Sequence, residues 1–216
     1  SRTPTAVELA CADEDAPCSL PNAFLADPPL DEVVARTIEA GVRGRSAAGI
    51  AWHLGAFQTV NRDDILFQTT GGAQANVGFF DNVSDTRRRG VEFELAQKLG
   101  SLSWKLDYTL VDATFRDTFV VNSPNHPLFG DDADEVDGAD LIVGEDKLQV
   151  NPGRTLPGIS RHQANLLLDW QPNARLRLGT DLNYRSGVYL RGDEINVLGR
   201  TGSFGTVNLH GAYRFT

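Results

Sequence analysis

The sequence predicts an all-β fold, an antiparallel meander of about seven long strands. Three observations predict it. Apolar and polar residues alternate with period two along most of the 216 residues, and helical periodicity is nearly absent. The links between alternating stretches are by turns short (near 45, 100 and 172) and long (near 73, 117–159 and 191–202). The three tryptophans, Trp52, Trp104 and Trp170, each fall on the apolar side of their stretch, a few residues from a short link.

The elements follow in order. Residues 33–44 place Ile38, Ala40 and Val42 on one face and Glu39, Gly41 and Arg43 on the other. After a polar link at 44–46, residues 48–60 put Ile50, Trp52 and Leu54 opposite His53 and Gly55, with continuation through Ile65 and Phe67 until Gly71 and Gly72 break it. A third strand runs from about Asn76 to Leu99. Gly100-Ser101 is a two-residue turn into a fourth that reaches about Phe115. Residues 117–159 show no strand pattern and hold Pro124, Pro127, Pro152 and Pro157. Three more strands follow: Ala164, Leu166, Leu168 and Trp170 against Gln163, Asn165 and Asp169; Leu176, Leu178, Leu182 and Tyr184 against Arg177, Asp181, Asn183 and Arg185; Val207, Leu209, Tyr213 and Phe215 against Asn208, His210 and Arg214.

A soluble sandwich has no reason to gather its short turns at one end. A transmembrane barrel does, with short periplasmic turns and long extracellular loops. Amphipathic aromatics collect at the membrane–water boundary, so Trp52, Trp104, Trp170 and Tyr213 read as the girdle at the short-turn end, with Tyr108 and Tyr184 further up. On that reading the apolar face meets lipid. The polar face, with Glu92, Glu94, Lys105, Asp107, Arg177, Asp181, Arg185, His210 and Arg214, lines a lumen. The competing arrangement is a soluble all-β binding module, in which the same polar face is simply the solvated exterior.

Charge narrows the partners. The chain carries 20 basic and 29 acidic residues, a net charge of -9, which argues against a nucleic-acid partner. Much of the excess sits in one stretch, "DDADEVDGAD" and the Glu145 and Asp146 that follow. It lacks the ligand spacing and closing glutamate of an EF-hand loop and reads as a solvated loop. Cys11 and Cys18, with six residues between them, lie in a polar, Pro-containing segment, a spacing that a disulfide can close and that would place the protein outside the cytosol; two free thiols are the alternative. No apolar run approaches the ~18 residues of a membrane helix.

Several stretches also resemble the TonB-dependent outer-membrane receptors. "NVSDTRRRGVEFEL" is similar to that family's Arg-x-x-Gly-hydrophobic-Glu strand start, "NPGRTLPGISRHQANLLLDW" to a Pro-Gly…Pro-Gly…Arg-His lead into a late barrel strand, and the first 44 residues to a long extracellular loop leading into a strand. The resemblance implies a 22-stranded barrel with an N-terminal plug. It also implies an outer-membrane location in a Gram-negative bacterium, a TonB complex acting through the plug, and a scarce ligand as cargo, most often a ferric siderophore. Neither plug nor TonB box is seen here, so the chain reads as a fragment: residues 1–31 and 117–159 as extracellular loops, 32–116 as four strands and 160–216 as three. Seven strands make an open, curved segment of such a barrel, with two unpaired edges.

No enzyme is expected. Ser203, seven residues before His210, is the best local arrangement for nucleophilic chemistry, but no Gly-x-Ser-x-Gly is present and His210 reads as a lumen-wall histidine. No metal or cofactor set is apparent.

Overall fold

The computed structural model describes residues 3–4, 30–69, 78–123, 126–128 and 147–215. Among them there is no helix. Nine strands occur: β1 Val34–Arg45, β2 Ala51–Thr69, β3 Gly78–Leu99, β4 Leu102–Phe115, β5 Phe119–Val121, β6 Leu148–Val150, β7 His162–Trp170, β8 Leu176–Arg185 and β9 Phe204–Tyr213. Seven form one antiparallel sheet in the order β1-β2-β3-β4-β7-β8-β9, and it does not close on itself.

The register explains why the alternation was so regular. One cross-strand row runs Arg43, His53, Glu94, Asp107, Asn165, Asn183 and Thr206, polar on every strand. The neighbouring row, one residue along each strand, runs Val42, Leu54, Phe93, Tyr108, Ala164, Tyr184 and Gly205. A slip of one residue at any pairing would exchange the two faces, so the pattern fixes the register across all seven strands.

Turn chemistry supports this. Gly100 holds φ 58° at the first central position of the β3–β4 hairpin, where a type II′ turn takes glycine. The β1–β2 link closes with Gly49 at φ 80° and its N–H donating to the Ser46 carbonyl. In the β7–β8 link the Asn173 side-chain oxygen accepts the N–H groups of Arg175 and Leu176. Where two backbones must approach, glycine faces a ring: the Trp52 indole lies over Gly44 and Phe57 over Gly90, each 2.8 Å from where a Cβ would stand.

Among the described residues the sheet has no protein core on its apolar face. Ile38, Val42, Leu54, Val91, Leu178, Val207 and Leu209 all stand exposed there, Leu209 at 80%. The core sits instead at the long-loop end. Ala113, Phe115, Val121, Leu148, Val150, Leu156 and Ile195 form one buried cluster, with Leu66, Val111, Phe119, Leu128 and Ile159 packed against it. Val111, Ala113 and Phe115 belong to the same face as Asp107, so the polar face turns apolar over its last third.

Here the expectation for residues 117–159 needs correcting. The segment is not strandless: β5 and β6 pair as a short antiparallel ribbon, Phe119 opposite Val150 and Val121 opposite Leu148. Residues 154–161 then take over the edge of upper β4 where β7 has not yet begun, with the Phe115 N–H donating to the Arg154 carbonyl and the Val111 N–H to the Arg161 carbonyl.

Strand lengths divide the sheet as well. A tilted strand crosses a bilayer in about 9–11 residues, but β3 has 22. Its far half pairs with the far half of β2, beyond the length a crossing needs. That part carries a bulge at Asn61 to Ile65, where Asp63 adopts φ 54°.

Candidate functional site

On the polar face, at the end where the core forms, lies a cavity of about 790 Å³. Its wall is mostly apolar, with Ile65, Phe67, Phe80 and Phe115 from the sheet and Leu156, Ile159 and Leu198 from the loops. Polar groups converge on it from two sides: Arg88 from the sheet, and His126, Asp193 and Glu194 from the loops. An apolar pocket with a few fixed polar groups is the usual form of a small-molecule site.

The sheet-side polar group is held by a buried network. Asp64, placed by the bulge, accepts hydrogen bonds from the Thr86 hydroxyl and from Arg88 Nη2, the latter at 3.3 Å. Arg88 also donates to Thr86 at 3.0 Å. Thr86 is fully buried and Asp64 nearly so.

The loop-side group ties two distant segments together. His126 Nδ1 accepts the Leu128 N–H at 3.1 Å, so the ring proton sits on Nε2, which faces Asp193 Oδ1 at 3.3 Å. The Asp193 carboxylate also caps the turn after it, accepting the N–H groups of Val197 at 2.9 Å and Leu198 at 3.2 Å. Asn196, in the left-handed region at φ 58°, bonds both backbone groups of Thr155 through its side chain. Residues 126–128, 154–156 and 190–198 thus form one unit over the cavity. Burial pushes the neighbouring Glu194 carboxyl up, although the Gly192 N–H donates to it at 3.0 Å.

The residues picked out from the sequence occupy the sheet below. Lys105 bridges Glu94 at 3.0 Å and Asp107 at 2.9 Å, and Glu94 and Asp107 are direct cross-strand partners. Glu92 lies on the same face between Gly55 and Thr109. Arg177 pairs with Asp169 at 2.9 Å, and His210 approaches the same carboxylate at 3.4 Å across Gly179. Asp181 accepts hydrogen bonds from Asn165 at 2.7 Å and Asn183 at 3.1 Å. Arg185 donates to the Tyr184 carbonyl, at 3.1 Å. Arg214 lies just past β9, its N–H on the Arg175 carbonyl. None of these lines the cavity. Ser203 precedes β9 and His210 is seven residues on, about 23 Å of strand, too far for a nucleophile and its base.

Trp52, Trp104, Trp170 and Tyr213 share the apolar face, Trp170 at the end of β7 and Tyr213 at the end of β9, where its ring packs edge-on against Phe215 at 5.0 Å. Cys11, Cys18 and the acidic run 131–146 lie outside the described residues.

An open sheet with a polar face, an exposed apolar face and its loops gathered at one end defines a segment of a transmembrane β-barrel wall. Comparison with known families identifies which barrel: residues 1–216 match the family described as TonB dependent receptor-like, beta-barrel, and the chain belongs to that family of outer-membrane transporters and receptors. No curated protein matches. Solved structures share the fold. The chain aligns over 100% of its length with 28% of a copper transporter, OprC, at 18% identity and TM-score 0.62. It aligns over 91% with 25% of the ferric yersiniabactin uptake receptor FyuA of Yersinia pestis, at 17% identity and TM-score 0.55. It aligns over 89% with 27% of the siderophore receptor PirA of Acinetobacter baumannii, at 12% identity and TM-score 0.54. The chain therefore spans roughly a quarter of the length of these proteins.

Proposed function

We propose that the chain is barrel wall and loop from an outer-membrane transporter that imports a scarce ligand, a ferric siderophore first, in a TonB-dependent manner. The observation that carries this is the cavity of about 790 Å³ on the polar face at the loop end. It offers apolar walls and aromatic rings with a few fixed charges, which suits a bulky chelate better than a bare ion. In this reading the polar face is the lumen wall and meets the plug, the apolar face meets lipid, and Trp52, Trp104, Trp170 and Tyr213 mark the periplasmic boundary. Residues 1–31 and 117–159 are extracellular and turned toward ligand.

Copper is the second reading, raised by the likeness to OprC. Copper(I) prefers soft thioether and thiolate ligands, and the residues lining the cavity include neither Met nor Cys, so ferric chelates are favoured.

The test uses the intact receptor in its own host. Deleting the gene should abolish uptake of at least one iron chelate by iron-starved cells, and disabling TonB should abolish it equally. Uptake that survives without TonB would point to a passive pore. An intact protein that stays monodisperse without detergent would point to a soluble module.

A further inference from the structure

On the apolar face, just above the belt of aliphatic side chains, the composition changes abruptly. Val60 has Arg36 as its cross-strand partner on one side and Arg87 on the other. Arg62 follows two residues along the same strand, opposite Val34, and Arg89 stands two residues from Arg87, opposite Gln58. In the register, four arginines on one face therefore surround one valine, in a chain whose net charge is -9. Two nearby acids are already engaged. Asp112 accepts Arg89 Nε at 3.0 Å, and the Asp85 carboxylate accepts the Asp63 N–H at 3.2 Å. Arg36 and Arg62 are exposed and have no ion pair among the described residues. Among the described residues Arg87 reaches only Thr114, at 3.5 Å, and its Nε is buried without a partner.

The height of the cluster says what it meets. From Leu99, at the β3–β4 turn, to Arg87 is about 40 Å of strand, hence roughly 29–33 Å along the membrane normal at a tilt of 35–45°. The apolar band of such barrels is about 25 Å tall, so the arginines emerge at the outer head-group level. Arg36 and Arg87 flank β2 on neighbouring strands, so their backbones stand roughly 10 Å apart. That breadth suits a head group with more than one phosphate, and guanidinium forks grip phosphate bidentately.

We infer that Arg36, Arg62, Arg87 and Arg89 form a docking site on the outside of the barrel for a diphosphorylated glycolipid of the outer leaflet. The site rests on the reading of the apolar face as lipid-facing.

The test titrates the intact receptor, in nonionic detergent, with diphosphoryl lipid A, its monophosphoryl form and phosphatidylglycerol, counting bound lipid by native mass spectrometry. Diphosphoryl lipid A should bind about tenfold or more tightly than phosphatidylglycerol. The fourfold Arg→Gln variant should lose about tenfold, the fourfold Arg→Lys variant should lose less, and Arg43→Gln on the opposite face should lose nothing. Should the fourfold Gln variant not fold, Arg36→Gln with Arg62→Gln, both exposed and unpaired, carries the same expectation at smaller size. Equal binding of phosphatidylglycerol, or glycolipid binding indifferent to the Gln variants, overturns the site. If Leu106→Arg destabilises the receptor while lipid binding ignores the arginines, only this inference fails. If Leu106→Arg is also harmless, the lipid-facing reading itself has failed.

Discussion

The two ends of this sheet are stabilised by different surroundings. Near the short turns, Leu95, Leu106, Leu166, Leu182 and Val207 make one continuous aliphatic row, and nothing among the described residues covers it. The opposite face there is a set of ion pairs and amide contacts such as Glu94–Lys105–Asp107 and Asn165–Asp181. Near the long loops, the polar face itself becomes apolar and is sealed by the chain's own ribbon and loops. A barrel wall needs no internal core where lipid supplies the apolar solvent. It needs one where it rises into water. That contrast is why a segment with so much exposed leucine still contains fully buried residues, and why those residues are gathered at one end.

The sharpest way to break the contrast is to empty the loop-end core. Phe115 is 1% exposed and packs its ring edge-on to Phe119 at 4.9 Å. Phe115→Ala in the intact receptor should cost about 3–5 kcal/mol of local stability. The loss should appear as protease cutting within 117–159 while the barrel stays heat-modifiable on gels. Global unfolding instead would mean that the two ends are one cooperative unit.

The next effect probes the other end. Leu106 and Leu182 lie in the same aliphatic row, whereas Leu178 pairs with Trp170 close to the β7–β8 turn. Leu106→Arg or Leu182→Arg should cost about 2–4 kcal/mol at mid-bilayer, and Leu178→Arg about 0–1 nearer the boundary. Reversible unfolding in liposomes measures both. Equal costs at the three positions would sink the depth assignment, and with it the girdle reading of Trp170.

Much of this was legible beforehand. The strands, their order and both faces follow from alternation, and the short turns from Gly100-Ser101 and Asn173. The loop-end core was legible only in part. Every second residue of β4 after Asp107 reads Thr109, Val111, Ala113, Phe115, a visible change from polar to apolar on one face. Its covering was not legible. Three-residue strands such as β5 and β6 are too short to show a period, and the His126–Asp193 pair joins residues 67 apart with no local signal. Nor does a sequence announce that Asp63 takes a left-handed backbone and thereby turns Asp64 toward Thr86 and Arg88.

A third test compares glycines in the wall with one in a turn. A Cβ on Gly90 would strike the Leu110 carbonyl and the Phe57 ring, and one on Gly179 the His210 ring and the Leu168 carbonyl. Gly90→Ala should cost about 1–3 kcal/mol because backbone must shift. Gly179→Ala should cost less, since the exposed His210 side chain can swing away from Asp169. Gly192 has open space around its Cβ position but φ 93°, so Gly192→Ala loses only through backbone strain.

The smallest effect is a pH dependence confined to the loops. Glu194 is held by burial above the ordinary glutamate range. The folded loop therefore keeps its proton at pH values where the opened loop has lost it. The stabilisation is complete below the ordinary glutamate pKa and is lost as pH rises through the raised value. Hydrogen exchange over residues 190–198 of the intact receptor should then reveal easier opening as pH climbs through that window, once the intrinsic exchange rate is divided out, and Glu194→Gln should flatten the trend. A flat profile in the unsubstituted receptor would mean that burial does not hold the Glu194 carboxyl as the structure has it.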